Sequence, residues 1–88
     1  MDKGSVARWM LTQIEKSTCL YQEDVVDYLV RNDSEDLLRE NREGNLVLSR
    51  ELLAAFTNLT ETTVVWVRRE HYWRFRDPSD ESGREADG

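Results

Sequence analysis

The sequence is poor in most of the residues that carry recognisable chemistry. It has one cysteine, Cys19, so no internal disulfide can form. It has one histidine, His71, and one Cys with one His does not make a metal-ligand spacing. The only proline is Pro78, and the four glycines (Gly4, Gly44, Gly83 and Gly88) are scattered. That scatter excludes a glycine-rich phosphate loop. No apolar run approaches the ~20 residues that span a bilayer, and MDKGSVARWM lacks the apolar stretch of a signal peptide. Neither Ser49 nor Cys19 stands in a nucleophile motif. These absences point to a protein that is not an enzyme, needs no cofactor or metal, stays off the membrane and sits in the cytoplasm.

Large side chains and charge, by contrast, are plentiful. Eighty-eight residues allow one domain at most, with a thin stability margin. Three Trp, three Tyr and two Phe supply the buried area that a small core needs. Charged residues make up 34% of the chain and give a net charge of −6. The distribution is uneven. Residues 63–76 hold Arg68, Arg69, Arg74 and Arg76 against Glu70, whereas the segments on either side are acidic. A chain of this overall sign is not drawn to phosphate backbones by long-range attraction.

Periodicity predicts a first helix from about Ser5, its expected N-cap, to Lys16. Val6, Met10 and Ile14 form its apolar stripe, with Trp9 beside them. A second helix starts after Leu20. Gln22, Glu23 and Asp24 fill its first turn, where exposed N–H groups favour acid, and Leu20 and Val25 are spaced as a hydrophobic staple. Val25, Val26, Leu29 and Val30 are its expected buried stripe. Cys19 is expected to be a small filler between these two helices.

Asn32-Asp33-Ser34 reads as a turn, and the next stretch is ambiguous. Residues 35–40 fit either a short helix or a strand. In the second case Leu37–Glu40 and Leu46–Ser49 form a hairpin through Asn41-Arg42-Glu43-Gly44-Asn45, a good turn sequence. At least one strand, Asn45–Leu48, is expected. Ser49 then caps a third helix over Arg50–Asn58 with Leu52, Leu53, Phe56 and Leu59 on its apolar face. The β-branched and aromatic stretch TTVVWVRREHYWRFR predicts strands at Thr63–Arg68 and His71–Arg76 with a turn near Arg69-Glu70. Trp73 and Phe75 face one way, and Tyr72, Arg74 and Arg76 the other. Trp9, Trp66 and Trp73 are expected in the core and Tyr72 at the surface. Residues 77–88, DPSDESGREADG, read as a disordered acidic tail beyond a single α+β domain at 1–76.

The order helix, helix, strand, helix, strand, strand resembles a winged helix. The gap before the third helix is longer than a simple helix-turn-helix allows. The spaced elements ARWM, LYQEDVV, EGNLVLS, TVVW and YWRFR, over roughly residues 6–76, also resemble a family of small bacterial proteins of unknown function. That resemblance implies a compact α+β domain and carries no activity.

The expected function is a non-catalytic interaction or regulatory module. Its contact surface is the C-terminal hairpin, with Arg68, Arg69, Tyr72, Arg74 and Arg76 as site residues, because Arg and aromatic side chains dominate binding hot spots. The expected partner is another protein or a second copy, with the hairpin edge as a place for strand pairing. The alternative is weak nucleic-acid binding by the same residues, Arg to phosphate and aromatics to bases. A third reading has the Arg stems covering sheet surface while their charges meet nearby carboxylates. The acidic run Asp33, Glu35, Asp36, Glu40 and Glu43 reads as solvated surface, or as a mimic of nucleic acid.

Overall fold

The computed structural model describes residues 2–77 and the short strand at 85–86. The chain runs α1 (Lys3–Ser17), β1 (Cys19–Tyr21), α2 (Gln22–Arg31), a 3-10 turn (Glu35–Leu37), β2 (Leu38–Glu40), β3 (Leu46–Leu48), α3 (Arg50–Leu59), β4 (Val64–Val67), β5 (Tyr72–Phe75) and β6 (Glu85–Ala86). The fold is α+β, with one sheet in the order β1-β5-β4-β6 and a separate β2–β3 hairpin.

The first helix begins earlier than expected. Asp2, not Ser5, is the N-cap: its carboxylate accepts the Ser5 backbone N–H at 2.7 Å. Ser5 is therefore the donor in the cap, three residues inside it. The helix stops at Thr18, which takes a left-handed conformation (φ 69°) and donates its N–H to the Ile14 carbonyl at 2.8 Å. This turn throws the chain directly into β1, an element the sequence reading did not contain. Leu20 is buried there opposite Trp73, so Cys19 lies in a strand beside Arg74 and is not a filler between helices. Glu23 and Asp24 do occupy the first turn of α2, with Arg31 in its last.

Residues 35–40 resolve into both expected forms, a single 3-10 turn followed by strand. The β2–β3 hairpin closes through one side chain: Asn41 Oδ1 accepts the N–H groups of Glu43 (2.9 Å) and Asn45 (3.0 Å). Gly44 supplies the left-handed position at φ 79°. Leu38 and Leu48 face each other across this hairpin and point into the core. Ser49 caps α3 as expected, accepting the Leu52 N–H at 3.2 Å.

The core is continuous. Met10 and Ile14 of α1, Val25 and Leu29 of α2, and Leu52 and Phe56 of α3 meet Leu20, Val64 and Trp73 of the sheet. Phe56 sets its edge against Trp73, with ring centroids 5.5 Å apart. Two expected core positions lie at the surface. Val30 and Leu59 are exposed at the ends of their helices, and Thr60 is buried instead, its hydroxyl donating to the Phe56 carbonyl at 2.7 Å. Trp9 is half-buried and stacks on Tyr28 at 3.7 Å, which links α1 to α2.

The β2–β3 hairpin stands between α2 and α3. The packing differs from a helix-turn-helix: α3 packs chiefly on α1, while α2 packs on β1 and β3. The expected disordered tail falls mostly outside the described residues. Glu85–Ala86, within it, runs parallel to β4 beside Trp66 and Val67.

Candidate interaction site

The five expected site residues lie in three settings. Tyr72 and Arg74 share the outer face of β5, because alternation places Trp73 inward. The β1 register then sets Tyr21 beside Tyr72 and Cys19 beside Arg74. The Tyr21 and Tyr72 rings meet at 5.1 Å. Tyr21 is 41% exposed and Tyr72 half-buried, so the more accessible aromatic of this face is Tyr21 and not Tyr72. On the β4 side of the same face, Val65 and Val67 are fully buried. The accessible part is thus the β1–β5 half, a Tyr–Tyr–Arg cluster.

Arg76 does something different. Its N–H donates to the Thr63 carbonyl at 2.8 Å and its Nε to the Thr62 carbonyl at 3.2 Å. Those bonds tie the open end of the hairpin to the loop after α3. Arg74 donates to the Phe75 carbonyl at 3.0 Å, and none of Arg68, Arg74 and Arg76 is without a further partner.

Arg68 and Arg69 are exposed in the loop that joins β4 to β5. His71 ends this loop in a left-handed conformation (φ 57°), donating its N–H to Val67 at 2.9 Å and accepting the Gln22 N–H at 2.9 Å. Its ring lies 5.8 Å from that of Trp66. The hairpin has no open edge on its β5 side, where β1 pairs, and β6 flanks β4. Within the described residues β6 pairs with Trp66 and Val67 of β4.

A groove was not foreseen. Arg69, Glu70 and His71 line one side of a cavity of about 780 Å³, with Gln22 and Glu23 at the start of α2 and residues 43–47 of the β2–β3 hairpin. Gln22, Asn41 and Val47 also border a second cavity of about 450 Å³, lined further by Arg39, Leu48, Leu53, Thr57, Trp66 and Trp73. The two share a border and form one groove. Its walls have simple origins. Arg39 and Val47 are a cross-strand pair on one face of β2–β3. Leu53 and Thr57 lie one helical turn apart on α3. Trp66 and Trp73, with rings 4.7 Å apart, are the floor. Trp66 is only half-buried because α3 leaves it open toward the hairpin. No single segment of the sequence signals this groove, which arises from how the hairpins and α3 are placed.

Among the described residues no group of three His, Cys, Asp or Glu side chains could hold a metal, and no helix is long and apolar enough to cross a membrane. The acidic run is exposed at all five positions. No curated protein and no solved structure matches the chain. A family model does match, over residues 2–75, and the chain belongs to that family, a family of unknown function (DUF6953).

Proposed function

We propose that this protein is a non-catalytic interaction module that docks a protein partner through the β1–β5 half of its outer sheet face. The observation that carries the reading is the pairing of Tyr21 with Tyr72 beside Arg74. These residue types give large contact area at low entropic cost and recur as binding anchors. Arg68 and Arg69, in the adjoining loop, supply the charged rim.

Nucleic-acid binding through the same hairpin is the weaker reading. Arg76 is tied to the loop at Thr62–Thr63, and Arg69 shares its groove with Glu23, Glu43 and Glu70. The exposed face of α3 offers Arg50 as its cation, beside Glu51, Ala54 and Asn58. A groove reader generally brings more phosphate anchors.

Backbone amide NMR with a short mixed-sequence DNA duplex, at low and then moderate salt, separates the two. The expected result is an unperturbed spectrum at Arg68–Arg76 and in α3 at both salt concentrations. Shifts confined to those residues and fading as salt rises would overturn the protein-docking reading in favour of phosphate contact.

A further inference from the structure

The groove between the two hairpins is chemically divided. Its inner half is mostly apolar, with Trp66, Trp73, Leu53 and Val47 around a space of about 450 Å³ and Arg39 at its border. Its outer half gathers Glu23, Glu43 and Glu70 against the single cation Arg69. A groove with an aromatic floor and a mouth in which carboxylates outnumber cations suits a chain segment that carries one large apolar side chain and a positive charge.

We infer that this groove binds an extended segment of another protein. The segment places an aromatic or large aliphatic side chain over Trp66 and Trp73 and a Lys or Arg residue among Glu23, Glu43 and Glu70. Charge complementarity selects this occupant. The chain's own C-terminal segment, DPSDESGREADG, has no large apolar side chain and carries five carboxylates against one Arg, so it matches neither half. The inference rests on the reading of the protein as an interaction module. Tyr21 borders the outer half of the groove as well as the outer sheet face, but Tyr72 and Arg74 lie on the side of β5 opposite to Trp73, so the apolar inner half is separate from that face.

The test uses a synthetic octapeptide library. One position carries each apolar residue in turn, and the flanking positions carry Lys/Arg, Asp/Glu or Ser. Binding is read by fluorescence anisotropy and by the indole N–H resonance of Trp66. The expected winners combine Trp, Phe or Leu with Lys or Arg and shift the Trp66 resonance. Thr57→Arg, which fills the inner half from a half-buried helix position, weakens them at least tenfold. The double variant Glu23→Lys/Glu43→Lys weakens basic peptides by a similar factor and improves acidic ones.

Four results would overturn the inference: no peptide bound at millimolar concentration, selection of acidic or uncharged peptides by the unmodified protein, shifts at Tyr72 and Arg74 in place of Trp66, or a dimer of the free protein that Thr57→Arg dissociates. The last would make a second copy the occupant. Variant folding is checked from the amide spectrum, and the charge-reversal pair, made at exposed positions, keeps the test valid if Thr57→Arg fails to fold. Arg74→Ala, on the outer face and away from the groove lining, separates loss of docking at the outer face from loss of the groove.

Discussion

The two hairpins of this small protein solve the same problem by different means. The β4–β5 hairpin has four-residue strands, is paired with β1 on one side and flanked by β6 on the other, and carries buried residues on both faces. The β2–β3 hairpin has three-residue strands and pairs only with itself. It is held by Leu38 and Leu48, which reach the core, and by the Asn41 side chain, which closes its turn. The first hairpin is therefore part of the global fold. The second is an attachment whose tip is set by local chemistry. Their left-handed turn residues differ in the same sense: Gly44 adopts φ 79° without a Cβ, whereas His71 is held at φ 57° by the two backbone bonds that anchor its loop.

The largest expected effect comes from the floor of the first hairpin. Trp73→Ala removes the partner of Phe56, Leu20 and Trp66 together, and should lower unfolding free energy by about 3–5 kcal/mol. Urea denaturation checks it, and in a domain of this size the variant should be largely unfolded at room temperature. A change under 1 kcal/mol would show that the β4–β5 hairpin is not integral to the core.

Next is the tip of the second hairpin. Asn41→Ala removes an acceptor used by two backbone N–H groups, and should cost about 1 kcal/mol. Amide exchange should accelerate at Glu43 and Asn45 and in β2–β3, and stay unchanged in β4–β5. Equal acceleration in both would erase the distinction between attachment and core. Ser49→Ala, which removes the cap of α3 directly after β3, should also cost about 1 kcal/mol.

His71→Gly should act in the opposite direction. It relieves the Cβ penalty of a left-handed position, offset by the extra freedom glycine gives the unfolded chain, for a net gain of about 0.5 kcal/mol. Thermal unfolding checks the sign. A loss would mean that the ring contact with Trp66 outweighs the backbone relief.

The smallest effect is at Asp2, outside both hairpins. The Ser5 backbone N–H, with further help from the Ser5 side chain, holds its carboxyl below the ordinary carboxylate range. A depressed folded-state value stabilises the fold above the unfolded value and is lost as pH falls through the folded one. Stability should therefore decline slightly below about pH 4 on this account. Asp2→Asn, an N-cap that does not titrate, should remove that share of the decline in a comparison of unfolding curves from neutral to acid pH.

Much of this architecture was legible in the residues, and the exceptions have physical causes. Ser49 marked the start of α3, and the β-branched run marked β4 and β5. Glu23 and Asp24 marked the first turn of α2. The strand β1 was not legible, because three residues show no period and Cys19–Tyr21 is extended only where β5 offers a ladder. Tyr21 was missed as a site residue for that reason. Ser5 was the expected cap of α1, and Asp2 takes that place because its carboxylate, three residues ahead, accepts the Ser5 N–H. The groove was invisible, since it arises where the β2–β3 hairpin stands away from α3 and leaves Trp66 uncovered. That is a property of tertiary placement rather than of any segment.

The claim at the centre is that Tyr72 and its neighbours form a protein-docking face. Its most direct test is a photo-crosslinking amino acid placed at Tyr72 in the full-length protein, in its own cells, with the same residue at exposed Asp33 as control. The predicted result is one discrete protein adduct from position 72 that nuclease treatment leaves intact, that is lost on adding Tyr21→Ala, and that does not form from position 33. Equal labelling from both positions, or an adduct that nuclease removes, would contradict it.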